Sequence, residues 1–393
     1  MIYNNIIIGA GISGLYTAYK IKKKYPNETI LILESNNKIG GRMGIEKFHD
    51  TNVLIGAGIG RFNKDIRLKK LLNELNISYN KFIIQIQYSS KFKNHVDIIK
   101  TIKFLKKEYK KDKQITTFKD FALSKLNNIE YKKFIQSVGL TDYENEDVYE
   151  TLYNYGMEDN TSGWEGMSID WNVLLNKLEE YINTKNIKLN SNVYNIKNNN
   201  DIINIKTDKN IIYQSNKLYI ATDISTVQKL LKKYPIYKEI HGQPFIRIYA
   251  KFSNEYLEIM KKYVNKTTIV NTELYKIIPI NNGVYMIAYS DNKGANKIKK
   301  LLENNKNYLQ LIDLIKKSLN ITENLKIDDV KTYYWKIGTH YYEPLNNEYN
   351  SRTKFIKQAQ KPEKNIFIVG EAISTNQGWT EGALESVDKI IKN

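Results

Sequence analysis

Ile6-Ile7-Ile8-Gly9-Ala10-Gly11-Ile12-Ser13-Gly14-Leu15 is the stretch that decides the fold. Three β-branched apolar residues in a row are what a strand buried on both faces requires. Gly9, Gly11 and Gly14 then fit G-x-G-x-x-G. Gly9 permits a tight turn, Gly11 lets backbone approach a phosphate, and Gly14 lets the next helix pack against the strand. That helix, with Leu15, Ala18 and Ile21 on one face, points its first N–H groups at the phosphates. A second apolar strand, Ile30 to Leu33, ends in Glu34, followed by Ser35. Glu34 lies 20 positions past Gly14, where a carboxylate can hold a ribose hydroxyl pair and would repel a 2′-phosphate. Strand, turn, helix, strand and acid in this order specify a dinucleotide site.

Gly40-Gly41-Arg42 extends the signal beyond what a nicotinamide site needs, because an arginine fork there can reach back to a pyrophosphate. The far end of the chain repeats the theme. Ile366-Phe367-Ile368-Val369 reads as another buried strand, followed by Gly370-Glu371 and by Gly378-Trp379-Thr380-Glu381-Gly382-Ala383. Ala383, Leu384, Val387, Ile390 and Ile391 keep the 3.6-residue period, so a last helix packs one face inward.

With these residues the chain resembles flavoproteins of the glutathione-reductase type. Its C-terminal segment narrows the resemblance to the flavin-containing amine oxidase family, which includes monoamine and polyamine oxidases. The matching segments are 6–42, 54–75, 189–231, 245–252, 335–344 and 366–391, in the family's order, while 79–164 carries no family motif. The resemblance implies an α/β fold: a Rossmann-type FAD-binding domain of the glutathione-reductase type, built from 1–75, 188–235 and 355–393. An α+β substrate domain on a mixed sheet would take 76–187 and 236–354.

The same resemblance implies FAD contacts. Gly9, Gly11, Ile12, Ser13, Gly14, Gly41 and Arg42 would meet the phosphates, and Glu34 and Ser35 the ribose. Gly56, Ala57, Gly58 and Ile59 would pass beside the flavin, and Val193 would meet the adenine end through its backbone. Gly370 and Glu371 would hold the ribityl chain. Thr380 and Ala383 would begin the last helix, whose dipole favours negative charge on the reduced flavin's pyrimidine side. Asp223 reads as the N-cap of a helix bearing Val227 and Leu231.

The implied activity is hydride-equivalent transfer from an amine's α-carbon to flavin N5, giving an imine that water hydrolyses. The flavin does the redox chemistry and the protein positions it. Oxygen or another acceptor would reoxidise the flavin. Three positions depart from the family. Arg247, in Phe245-Ile246-Arg247-Ile248-Tyr249-Ala250-Lys251-Phe252, stands where a lysine holds a water near N5. Arginine stays charged where a buried lysine can lose its proton, which favours a slower oxidase or a dehydrogenase.

Trp379 takes one of two aromatic places flanking the substrate nitrogen. The other falls to His340, with Tyr341 beside it, in Gly338-Thr339-His340-Tyr341. A neutral imidazole can wall a site; a protonated one repels an ammonium. Monoamine oxidases tether FAD through a cysteine near here. This chain has no cysteine, and Thr339 stands in that place, so FAD is expected to be non-covalent. Arg247 and His340 leave open a related flavoprotein acting on a non-amine, of desaturase or sugar-mutase type. A flavin-fold binding protein without turnover also stays open.

At 393 residues the chain has room for one or two domains with an ample core. Without cysteine it has no disulfide or thiolate metal site, and no zinc, iron or calcium spacing occurs, so no metal is expected. Met1 lies about five residues before the first core strand, and no apolar run is long enough to span a bilayer. The expectation is an intracellular, soluble protein without signal peptide or membrane anchor.

The net charge is +18, with lysines in scattered pairs such as Lys69-Lys70, Lys232-Lys233 and Lys316-Lys317. The densest basic run is Lys100, Lys103, Lys106, Lys107, Lys110, Lys111 and Lys113. Ile98, Ile102, Leu105 and Tyr109 face the other way. This is a solvated helix face, or a surface for nucleic acid or an anionic membrane. A positive protein repels a cationic substrate unless its cleft is locally acidic. Asp142, Glu144, Glu146, Asp147 and Glu150 form one acidic run, either at an entrance or in a loop. Helices are expected over 97–135 and around Trp171, Leu174, Leu175, Leu178 and Ile182. Strands are expected over 82–88, 245–252, 267–278 and 284–289.

Overall fold

The glycine turn closes between the first strand and the first helix as its residues require. The computed structural model describes residues 1–111, 113–199, 201–303, 308–346, 348–349 and 351–392. Ile2–Ile8 is a strand, Gly9 turns at φ 101°, and Ile12–Lys24 is a helix. A Cβ on Gly14 would collide with the Gly9 carbonyl, so turn and helix meet only through glycine.

Ile2–Ile8 lies between Ile30–Leu33 and Ile212–Ile220, parallel to both. Ile187–Lys188 and Ile366–Ile368 extend the parallel part, while Val193–Asn199 and Ile202–Thr207 add antiparallel strands at one edge. The seven-stranded sheet thus draws on three separate stretches of chain. Ile8 pairs with Leu33, which puts the Gly9 turn and Glu34 side by side at the carboxyl ends of adjacent strands. Alternation sends Ile7 and Ile32 to one face, against Leu15, Leu178 and Leu384. It sends Ile6, Ile8 and Leu31 to the other, against Val227 and Phe355.

The second sheet has the order Asp329–Tyr342, Ile240–Lys251, Val284–Asp291, Lys276–Pro279, Thr267–Ile269, Ile86–Tyr88. All its pairs are antiparallel except the last, so the sheet is mixed. Helices Ile98–Lys111, Phe118–Lys125, Asn128–Val138 and Val148–Tyr153 pack around Phe118, Phe134 and Tyr143 beside it. Thr117 and Asn127 start the second and third of these as N-caps, so the helical part expected over 97–135 is three helices. The lysines of Ile98–Lys111 lie opposite the buried Ile98, Ile102 and Leu105, as a solvated face does.

Two expected strands are each two. The one over 82–88 divides into Tyr79–Ile83, which pairs with Glu165–Ile169, and Ile86–Tyr88 in the large sheet. The chain crosses between sheets at Ile84, whose N–H and carbonyl bond Trp164 and Gly163. The one over 267–278 is a hairpin of Thr267–Ile269 and Lys276–Pro279, turned at Tyr275 with φ 57°. A turn made by a tyrosine in the left-handed region leaves no glycine or proline to announce it. Among the described residues no helix is long and apolar enough to cross a membrane.

Candidate active site

The two glycine-rich ends meet at one place. A Cβ on Gly370, which sits at φ 135°, would come within 3.7 Å of Ser13 Oγ. Beside them Gly11 has open space where a Cβ would stand, and Gly41 lies 3.5 Å from its Cα by the same measure. Helix Ile12–Lys24 starts at Gly11 with no side-chain cap, so its first N–H groups are left for a ligand. Glu34 is 5 % exposed. Its Oε2 accepts from the Ala10 N–H at 2.7 Å and its Oε1 from the Asn36 N–H at 2.8 Å, with Ser35 Oγ at 3.2 Å. Its carbonyl takes the Ser191 N–H, which brings the buried Val193 behind the same turn.

Arg42 reaches from the second glycine pair to the other end of the chain. Its Nη1 donates to Glu371 Oε1 at 2.8 Å and to the Gly338 carbonyl at 2.6 Å. Glu371 is buried, and its carboxylate also meets His340 Nδ1 at 2.9 Å. Burial would raise its pKa, but His340 and Arg42 outweigh burial and hold it at about 2. The Ile224 N–H donates to His340 Nε2 at 3.2 Å, so the ring's proton belongs on Nδ1, toward Glu371.

The second wall of the cage, expected of His340 opposite Trp379 with Tyr341 beside it, is not an open imidazole face. The His340 side chain is 0 % exposed, with both nitrogens engaged. It points with Tyr342, whose hydroxyl donates to the Ser374 carbonyl. Tyr341 takes the opposite face of the strand and stacks on His241, centroids 5.3 Å apart. Motif offset located the strand but could not reveal the acid, 31 residues on, that claims the imidazole. Thr339 packs its methyl 3.6 Å from where a Cβ on Gly378 would lie.

The segment 56–59 is half-buried and held by groups that sequence reasoning did not assign to the site. Trp335 Nε1 donates to the Ile55 carbonyl, Trp171 Nε1 to Gly58, and the Tyr249 hydroxyl to Leu54, at 2.8, 3.1 and 2.8 Å. The Ala57 N–H bonds the Arg42 carbonyl. The one signal available was chemical: a buried Trp or Tyr must place its polar tip on an acceptor.

Arg247 approaches the same segment from the second sheet. It is 7 % exposed, its Cζ lies 4.8 Å over the Tyr289 ring, and its Nη2 lies 3.1 Å from a Cβ position on Gly58. Trp379 is half-buried at the N-cap of helix Thr380–Ile390, with Arg61 Cζ 4.0 Å above its ring. Arg61 is fixed by Asp65 at 2.7 Å and Asp159 at 3.3 Å. Thr380 opens the helix and Ala383 is buried on its inner side. Glu381 accepts the N–H groups of Arg67 and Leu68, each at 3.0 Å, and so caps helix Ile66–Glu74 from outside.

The acidic run is not a solvated loop. Asp142, Glu146 and Glu150 turn inward to a small cavity bordered by Thr339, Tyr342 and Gly378. Asp142 takes the Tyr155 hydroxyl at 2.6 Å, Glu146 the Thr151 hydroxyl at 2.8 Å, and Glu150 lies 3.5 Å from Arg352. Burial raises the pKa of all three. Among the described residues no group of three or more His, Asp or Glu is arranged to hold a metal.

Residues 7–75 match the NAD(P)-binding Rossmann-like domain. Over 55 residues the chain is 36% identical to an uncharacterised protein of Acanthamoeba polyphaga mimivirus, a stretch that is 14% of this chain and 10% of that one. The fold as a whole is shared with putrescine oxidase. Its wild type bound to putrescine aligns at a TM-score of 0.78 and 13% identity over 100% of this chain and 98% of that one. A triple mutant from a redesign of its cofactor binding aligns at 0.75 and 13% over 99% and 98%. The chain thus carries a Rossmann-like dinucleotide-binding domain within the fold that putrescine oxidase adopts.

Proposed function

We propose that the chain is an FAD-dependent oxidoreductase acting on an amine C–N bond, with FAD bound non-covalently. The observation that carries this reading is the Arg42–Glu371 pair. It brings the second glycine pair of the first segment against the glycine-rich segment at the far end, the two parts of the chain that such a dinucleotide would run along.

The residues fit such a group. Open space at Gly11 and the uncapped helix would take the pyrophosphate through Gly9, Gly11, Ile12, Ser13 and Gly14, with Gly41 and Arg42 opposite. Glu34 and Ser35 would hold the adenosine ribose, and Val193 the adenine. Gly370 and Glu371 would hold the ribityl chain. Gly56, Ala57, Gly58 and Ile59 would run along the ring system, with Thr380 and Ala383 at its pyrimidine end. On this reading the seven-stranded sheet is the FAD-binding domain, from 1–75, 188–235 and 355–393. The rest, 76–187 and 236–354, is the substrate domain.

When bound, FAD supplies the redox chemistry, taking a hydride equivalent from the amine carbon and passing electrons to oxygen or another acceptor. The protein's own part is position and charge. Glu371 stays ionised and anchors Arg42. Trp379, braced by Arg61, walls one side of the substrate. The uncapped N-terminus of Thr380–Ile390 favours negative charge beside it. Lacking a cysteine, the chain offers Thr339 at the place of a tether.

The test is anaerobic. FAD-loaded protein is mixed with a panel of amines and the flavin absorbance followed, after which oxygen is admitted. Bleaching by an amine and recovery with oxygen support the reading. Bleaching only by non-amine substrates contradicts it.

A further inference from the structure

Four cations are buried among the described residues: Arg61, Arg247, Lys276 and Arg352. Three have acids. Arg61 pairs with Asp65 and Asp159, and Arg352 lies 3.6 Å from Asp147 and 3.5 Å from Glu150. Lys276 donates to Asn160 at 2.9 Å within the field of Asp142 and Asp291. Arg247 has none. Burial works against its charge, and what opposes burial is two hydroxyls, those of Tyr289 and Tyr249. Its Nη1 is buried with no hydrogen-bond partner. A guanidinium does not give up its proton, so its burial without an anion is costly unless an anion arrives.

The geometry says where. Arg247 projects from strand Ile240–Lys251, lies against the Tyr289 ring, and comes to rest at Gly58. Tyr249 is itself fixed, through its hydroxyl, to the Leu54 carbonyl. The cation therefore faces the segment 56–59 from the second sheet. The absent side chain at Gly58 is what lets the guanidinium lie against that segment.

We propose that Arg247 receives the anionic end of the substrate, which is an amine carrying a carboxylate and not a polycation. This rests on the amine-oxidising reading above. A guanidinium fork matches a carboxylate with two parallel hydrogen bonds, and stacking on Tyr289 keeps its face dry and its edge forward. The net charge of +18 favours approach of such a substrate over that of a diamine.

The experiment uses full-length protein loaded with FAD. Loading is recorded first from the visible spectrum, so failure to load counts against the reading on which this rests and not against Arg247. Three pairs that differ by one carboxylate are then compared: phenylalanine with phenethylamine, leucine with isoamylamine, ornithine with putrescine. The acid of at least one pair should bleach the flavin faster than its decarboxylated partner. Arg247→Gln should raise the KM for that acid about tenfold or more, with less change in kcat, and raise the KM for the partner amine by much less. Arg247→Lys should recover part of the loss. Benzoate, a carboxylate without an amine, should perturb the flavin spectrum with a Kd about tenfold weaker in Arg247→Gln, while the flavin midpoint potential stays put. Faster bleaching by the amines, or equal benzoate affinity in both proteins, overturns the proposal. A shifted midpoint potential with unchanged benzoate binding also overturns it, by assigning the cation to the flavin.

Discussion

Arg42 and Glu371 stand 329 residues apart in the chain and 2.8 Å apart in space. The pair ties the second glycine pair to the strand and helix that finish the fold, and on the proposed reading Glu371 is the carboxylate on which the cofactor site would be organised. Its pKa, held at about 2 by His340 and Arg42 against burial, lies below the ordinary value of 4.5. A lowered carboxylate stabilises the fold fully above the ordinary value and loses that contribution as pH falls toward the lowered one. The shift corresponds to roughly 3 kcal/mol. Thermal melts of the apoprotein should therefore fall steeply between pH 4.5 and 2, and Glu371→Gln should flatten that decline. An identical acid profile in the variant would contradict the assignment.

His340 offers a sharper choice. As a wall beside the substrate it could be replaced by phenylalanine with little loss. As the donor to Glu371 and acceptor of the Ile224 N–H, it could not. His340→Phe should weaken FAD binding about tenfold and lower stability by about 1–3 kcal/mol, because two buried polar partners lose their match. A variant that keeps its FAD affinity and changes only the KM for substrate would restore the cage role.

Glu381 caps a helix to which it does not belong, taking the N–H groups of Arg67 and Leu68. Glu381→Ala should cost about 1–2 kcal/mol in a denaturant melt, the usual worth of an N-cap with its charge at a helix N-terminus. Glu381→Gln should recover part of it. No loss in either would mean the helix starts without this help.

Trp379 lies under Arg61 at the head of the last helix. Trp379→Ala should lower kcat/KM for the substrate by about tenfold or more, with FAD affinity nearly unchanged, since a wall of the substrate site contributes to orientation. A fall in FAD affinity of the same size would move Trp379 from the substrate to the cofactor.

The parallel core was legible because a strand buried on both faces writes itself as an unbroken apolar run. Ile6-Ile7-Ile8, Ile30 to Leu33 and Ile366 to Ile368 all do so. The turn at Gly9 was legible for the same kind of reason: its conformation excludes other residues. Partnerships across the chain were not. Nothing in the local sequence around His340 or Arg61 names Glu371 or Asp159 as its partner. The acids from Asp142 to Glu150 read alike whether solvated or buried, and only Tyr155, Thr151 and Arg352 decide that they turn inward. Tyr275 hid a turn behind a residue that favours strands.

The most direct measurement is an FAD titration of the purified protein followed by visible absorbance, with Gly11→Ala and Gly14→Ala alongside. A methyl at position 11 enters open space, so the protein should melt as the wild type does, yet the phosphate cradle is filled and FAD affinity should fall by about tenfold or more. A methyl at position 14 meets the Gly9 carbonyl and should destabilise the fold itself. The account predicts a wild type that turns yellow with one FAD per chain and a Gly11→Ala variant that folds but stays nearly colourless. A wild type that remains apo, or a Gly11→Ala variant that binds FAD equally well, would contradict it.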